Sequence, residues 1–381
     1  FSKTIGTTAV GAEAGYYTTG SYNSFFGYKA GHGGTTSAPY SSGTYNTAMG
    51  FAALMNFTTG QTNVAIGGYA GASVSSGQKN VAIGYTSLNS LTDGTDSVAI
   101  GYDAGRYATG SQNTFVGSNA GKGGTTSAPY SSGQYNTAVG YLALTAFTTA
   151  VHNVAFGNDS MRTNTSGNYN TAYGSSAMRT NTSGGANVAI GYAAARDLDG
   201  GNYNVVVGNG AGYNLGGSSN NILIGDEAGY AINSSDANGT VAIGHEAGKA
   251  ITSGQRSTLV GYHAGKAITT GDRNTAIGYE ALQTNTTGNR NVAVGHGALR
   301  DLSAGVHDNN VAVGTDAGHD TTTASGSTFV GTYAGYDVTT GNNNTAIGLS
   351  AMYGNSAVTG DNNTAVGVNA GYDLTIGKEN T

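Results

Sequence analysis

The chain has 381 residues, of which 65 are glycine, 2 are proline and none is cysteine; 9% are charged, and the formal net charge is −6. With 15 basic residues, it lacks the basic surface that nucleic-acid binding needs. No apolar run approaches a membrane span, and disulfides are excluded.

Glycine-rich polar composition would ordinarily read as disorder, but a short phrase kept in strict register argues against it. The phrase recurs as Asn274–Gly278 (NTAIG), Asn291–Gly295 (NVAVG) and Asn344–Gly348 (NTAIG). Its glycine returns at 11, 27, 50, 67, 84, 101, 117, 140, 157, 174, 191, 208, 225, 244, 261, 278, 295, 314, 331, 348 and 367. A basic spacing of 17 is too short for a helix pair or a propeller blade. The expected fold is therefore all-β: a parallel β-solenoid or β-roll of about 21 coils, nominally 17 residues each, with two short strands per coil. Residues 1–381 read as a single continuous solenoid domain, and twenty rises of about 4.8 Å predict a rod on the order of 100 Å long.

Counting each coil from its glycine as position 0, position −4 is the most informative column. It holds Asn46, Asn63, Asn80, Asn153, Asn170, Asn187, Asn204, Asn221, Asn274, Asn291, Asn344 and Asn363, together with Asn23, Asn113, Asn136 and Asn310. The remaining coils place Thr7, Ser97, Thr240, Ser257 and Ser327 there. Every occupant is short and hydrogen-bonding, as a turn entering a strand requires, and stacked coils would bring these amides into a ladder. Position −3 is β-branched in all coils but the one with Ser24, position −1 is always apolar, and position −2 is Ala in fifteen coils. Such a strand has one bulky and one flat face, both apolar, and is expected to be buried on both. The flat alanine face is the one expected to meet another copy of the chain. After the glycine, position +3 is Ala in nineteen coils and opens the expected second strand, which often ends in a hydroxyl pair such as Thr269–Thr270.

Two intervals, Gly27 to Gly50 and Gly117 to Gly140, lengthen to 23 residues. Both carry GGTTSAPYSSG, at 33–43 and 123–133, and these inserted loops hold the two prolines. Function tends to sit on loops held by a rigid scaffold, so Tyr40, Pro39, Tyr130 and Pro129 are the candidate ligand-binding residues. Elsewhere Arg162, Arg179 and Arg196 fall at position +5 of consecutive coils, and Asp301, Asp320 and Asp337 at position +6. Like charges stacked this closely repel unless they splay into solvent or find partners. The seven histidines show no Glu-x-x-His or His-x-x-x-His spacing and read as isolated surface residues. Tyr22, Tyr45, Tyr135, Tyr169 and Tyr203 directly precede position −4 and are expected to stack between coils. No catalytic constellation, metal site or cofactor motif is expected. Asn380–Thr381 begin a further phrase, so the expectation is a segment of a longer fibre or a subunit that stacks end to end.

Segments such as Asn63–Ala70 (NVAIGGYA) and Asn187–Ala194 (NVAIGYAA) resemble the head repeats of trimeric autotransporter adhesins, whose motif has the form Asn-x-Val-Ala-Ile-Gly-x-x-Ser/Ala. Similar repeats occur in phage tail-fibre-like and surface fibre proteins. The resemblance spans essentially the whole chain and implies a β-roll in which three chains pack about a common axis, although the coils here are longer than that family's repeat. The reading of function is a non-enzymatic structural segment of an extracellular, cell-surface or virion fibre, serving adhesion or host attachment. Its partners would be itself, as a homotrimer or an end-to-end filament, and host or extracellular glycans or proteins. An ice- or surface-binding solenoid, or a glycan-binding or glycan-degrading tail fibre, is the alternative.

Overall fold

β-Branched residues at −3 and −1 favour extended backbone, and the glycine at 0 ends it, so each phrase folds as one three-residue strand. The computed structural model describes residues 5–38, 40–124, 130–303, 307–354 and 356–380. Twenty-one parallel strands form a β-solenoid, and the described residues contain no helix. The chain divides into two units, Phe1–Ala186 and Asn187–Thr381. In the first, the strands from Thr8–Val10 to Thr171–Tyr173 pair in chain order and in register, as in Val64↔Val81, Ala65↔Ala82 and Ile66↔Ile83. In the second, the strands from Val188–Ile190 to Thr364–Val366 do the same, as in Thr275↔Val292. The glycine is required on two counts: at Gly67 φ is +125°, and a Cβ there would lie 2.7 Å from the carbonyl oxygen of Gly84 in the next coil.

The expected second strand is instead a run of turns. Residues at +2 and +4 both adopt left-handed backbone, as at Tyr69 (φ 57°) and Leu54 (φ 51°), so no extended run can form across Ala at +3. The tight bend turns that alanine inward; Ala53 and Ala70 are fully buried. Backbone pairing between coils survives the bend, since the Tyr69 N–H donates to Phe51 O at 2.8 Å and the Gly71 N–H to Ser87 O at 2.8 Å. Isolated bridges, Thr18↔Ser41 and Ala108↔Ser131 in the first unit and Leu198↔Gly216 and Val338↔Val358 in the second, are what remain of a second strand.

The two strand faces are the reverse of the expectation. Side chains alternate along a strand, and the buried Asn at −4 places position −2 on the same, inward side. Ala48, Ala65 and Ala82 at −2 are buried, while bulky apolar residues at −1, such as Met49, Ile100 and Phe156, are exposed. The flat alanine face is thus the lining of a narrow interior rather than a surface awaiting a partner. The physical reason is space: the core must also hold Asn at −4, Ala at +3 and apolar residues at +4 and +7, among them Leu54 and Phe57.

Two interior columns exclude each other: no coil is bulky both at −2 and at +4. The six coils with a bulky −2 residue, Phe25, Phe115, Val206, Leu223, Leu259 and Phe329, all have glycine at +4: Gly31, Gly121, Gly212, Gly229, Gly265 and Gly335. A Cβ at Gly31 would sit 2.3 Å from the Phe25 ring, and one at Gly335 2.2 Å from Phe329. Where +4 is Leu, Met or Ala, as at Leu144 or Met178, position −2 is alanine, here Ala138 and Ala172.

Candidate functional site

The asparagine column forms an internal hydrogen-bond system in each unit, interrupted in the second at Thr240. Asn63, 1% exposed, receives the Asn80 backbone N–H (3.0 Å) and the Asn80 amide (3.1 Å) on its Oδ1. Its own Nδ2 donates to Asn46 Oδ1 (3.1 Å) and to Gly77 O (2.8 Å). Asn153 in the first unit, and Asn204, Asn221, Asn310 and Asn363 in the second, likewise donate from Nδ2 to the Oδ1 of the preceding asparagine, whereas Asn291 gives its backbone N–H to Asn274 Oδ1 and its Nδ2 to His307 O. Asn170, Asn187, Asn274 and Asn344 likewise donate from Nδ2 to a corner carbonyl of the next coil. Serine keeps half of the device: the Asn113 N–H donates to Ser97 Oγ at 3.3 Å and the Asn274 N–H to Ser257 Oγ at 3.2 Å. Thr240 does not, and its hydroxyl oxygen is buried without a hydrogen-bond partner.

The first inserted loop borders a cleft of about 890 Å³ lined by Tyr16, Tyr17, Tyr40 and the hydroxyl side chains of Thr18, Thr19, Thr35, Ser41, Ser42, Thr58 and Thr59. The loop leaves the coil at Gly33, where φ is +98°, and returns at Ser41, whose N–H donates to Tyr17 O at 3.0 Å. Tyr40 lies against Tyr17 with ring centroids 6.0 Å apart and remains 40% exposed. Pro39 and Pro129 lie outside the described residues. Around the second loop the same contacts recur: the Ser131 N–H donates to Tyr107 O at 3.0 Å, and Tyr130 lies 6.1 Å from Tyr107.

The aromatic columns are ladders. Tyr22 stacks on Tyr45 at 5.0 Å, and Tyr135, His152 and Tyr169 form a continuous stack with centroids 4.6 and 5.2 Å apart. Tyr203, between Ala186 and Asn220 in its column, stands exposed. Ring faces turned towards one another in such a stack are not available to a ligand.

Titratable residues meet in two clusters of the second unit that helix-type spacings cannot reveal, because their members lie one coil apart. In the first, Glu246 holds Lys249 and Lys266, each at 2.6 Å, and His263 at 3.0 Å. The two ammonium groups keep the Glu246 carboxyl down at about 2, and burial pushes His263 below its ordinary range. Glu246 is thus neutralised by lysines, which occupy the place a cation would take. In the second, Asp301, His319 and Asp320 converge with ligand atoms within 4.8 Å of one another. His319 is buried against Tyr336 at 5.0 Å and is hydrogen-bonded to Asp320 through Nδ1, so it is no isolated surface histidine. Asp337 follows in the next coil, its carboxyl pushed up to about 6 by burial and by Asp320. Two residues of the arginine column find partners too: Arg162 pairs with Asp159 at 3.6 Å, and Arg196 meets Asp197 at 3.2 Å and Tyr213 Oη at 2.6 Å.

The Asp337 shift has a definite sign. A carboxyl whose folded value lies above its ordinary 3.8 favours the folded state below that pH and loses the advantage as pH rises through about 6. Asp337→Asn is therefore expected to raise the melting temperature at pH 7.5 by about 2–4 °C, for about 1 kcal/mol after allowance for partial exposure, and to change it little at pH 4. Thermal scans at the two pH values check this, and an equal shift at both would exclude the assignment.

No protein-family model matches this sequence, and no curated protein matches it. No helix among the described residues is long and apolar enough to cross a membrane.

Proposed function

We propose that the chain is a structural segment of an extracellular fibre or filament, a stiff solenoid that associates laterally with copies of itself and serves attachment. The observation that carries this reading is the outward apolar stripe on each unit. In the first unit it combines Met49, Ile100 and Phe156 at −1 with Phe51, Tyr85 and Tyr102 at +1, all exposed; Ile190, Ile277 and Ile347 continue the same column in the second. Exposed apolar patches of this extent mark interaction surfaces, and lateral pairing would cover the stripe. Three chains about a common axis is the arrangement that the resemblance to adhesin heads implies. Each coil contributes little alone, so a stiff scaffold would present its contacts at fixed intervals and act through multivalency.

Light scattering and electron microscopy of the purified protein test the reading. The wild type is expected to form oligomers or filaments, and a variant combining Ile66→Lys, Ile83→Lys and Ile100→Lys to sediment as a folded monomer with an unchanged far-UV spectrum. A wild type that stays monomeric at every concentration, or an assembly indifferent to the three lysines, overturns it.

A further inference from the structure

We propose that the cleft beside Tyr17 and Tyr40 binds a neutral oligosaccharide. Three properties of the lining point to this chemistry. It carries no charged side chain, so nothing in it recognises an anion or a cation. It combines tyrosine rings with seven hydroxyl side chains, matching the alternation of apolar C–H faces and hydroxyl edges on a sugar ring. Some of those hydroxyls also have fixed roles. Thr18 and Thr19 both donate to Ser41 O at 3.3 Å, which leaves oxygen lone pairs as acceptors for the hydroxyls of a polyol.

The backbone frame of the cleft recurs five coils on, around Tyr107 and Tyr130, but its lining does not: Arg106 stands where Tyr16 does, its guanidinium 4.9 Å over the Tyr107 ring, and Ala108 stands where Thr18 does. The Thr18↔Ser41 bridge is matched by Ala108↔Ser131, the Thr19 N–H bond to Ser41 O (2.7 Å) by Thr109 N–H to Ser131 O (2.8 Å), and the Ser42 N–H bond to Thr58 O (2.7 Å) by Ser132 N–H to Thr148 O (2.8 Å). Both Tyr–Tyr pairs keep the same near-parallel geometry, with interplanar angles of 22° and 13°. The two loops lie five coils apart within the first unit, roughly 24 Å at about 4.8 Å per coil. Within the first cleft Tyr17 covers one side of the Tyr40 ring, and Tyr40 remains 40% exposed, which leaves its other side to receive a sugar face.

Native affinity electrophoresis through gels containing dextran, laminarin or mannan, with heparin and alginate as anionic controls, is the test. At least one neutral polysaccharide is expected to retard the protein. Tyr40→Ala should weaken the retardation by about tenfold, as loss of a central aromatic contact does, and Tyr40→Phe should retain it. Tyr130→Ala should leave it unchanged. The Tyr40→Ala variant should keep the wild-type far-UV spectrum and oligomeric state, and saturation-transfer NMR on the wild type should carry magnetisation from tyrosine ring protons to the oligosaccharide. The proposal falls if no neutral polysaccharide retards the protein, if only the anionic ones do, if Tyr40→Ala binds as well as the wild type, or if a proline-rich peptide proves to be the occupant that the same substitution releases. The site is complete in one chain, so these outcomes stand apart from those of the assembly experiment.

Discussion

Gly121→Leu is expected to destabilise the first unit by about 3–5 kcal/mol, and Phe115→Ala by a similar amount, whereas the two together should cost far less than their sum. A Cβ on Gly121 would lie 2.1 Å from the Phe115 ring, which is fully buried and held by Phe147 with ring centroids 5.6 Å apart, so the ring has nowhere to move. The double substitution reproduces the neighbouring coil, where Ala138 stands with Leu144. Backbone is no obstacle: Leu144 has φ 50° where Gly121 has +53°. Urea unfolding of the wild type, both single variants and the double variant gives the coupling energy directly; we expect about 3 kcal/mol, and strict additivity would falsify the mutual exclusion of the two columns.

The second large effect is expected in the ladder. Asn63→Ala removes an acceptor from the Asn80 N–H and amide, and donors from Asn46 Oδ1 and Gly77 O, all inside the coil stack. Orphaned buried groups cost about 1–3 kcal/mol each, and a loss of about 3 kcal/mol or more is expected. Asn63→Ser should recover part of it, because Ser97 fills the same column and accepts the following N–H. Hydrogen exchange at the amide of Asn80 should accelerate in the alanine variant and much less in the serine variant. Equal exchange in the two would show that the side-chain oxygen does not hold that amide.

The period and the asparagine column were legible because both are one-dimensional: each is a spacing, and stacking at a fixed rise turns spacing into contact. Orientation was not legible in the same way. Alanine at −2 and valine or isoleucine at −1 are both apolar, and the strand pattern alone does not say which side faces in; the buried Asn at −4 settles it, since −4 and −2 share a face. The absent second strand had no visible signal either, because left-handed backbone at Tyr69 or Leu54 belongs to residue types that rarely adopt it. Two features were present in the sequence and missed. The exchange of Phe115 with Gly121 against Ala138 with Leu144 can be read by comparing coils within this one chain. The meeting of Glu246 with His263 follows from their separation of 17, one full coil. The cleft at Tyr40 was indicated by the inserted loop, but the contribution of Tyr16 and Tyr17 from the preceding coil was not.

The asparagine ladder also has a direction. Asn63 accepts on its oxygen from Asn80, in the coil that follows, and donates to Asn46, in the coil that precedes; Asn204 and Asn221 repeat the sense. Aligned amides of this kind polarise one another along the chain of bonds, so a stack of coils is a vector with chemically unlike termini, one offering acceptors and the other donors. A side chain set against the open oxygen of such a column must bring a donor, and one set against its amide must bring an acceptor.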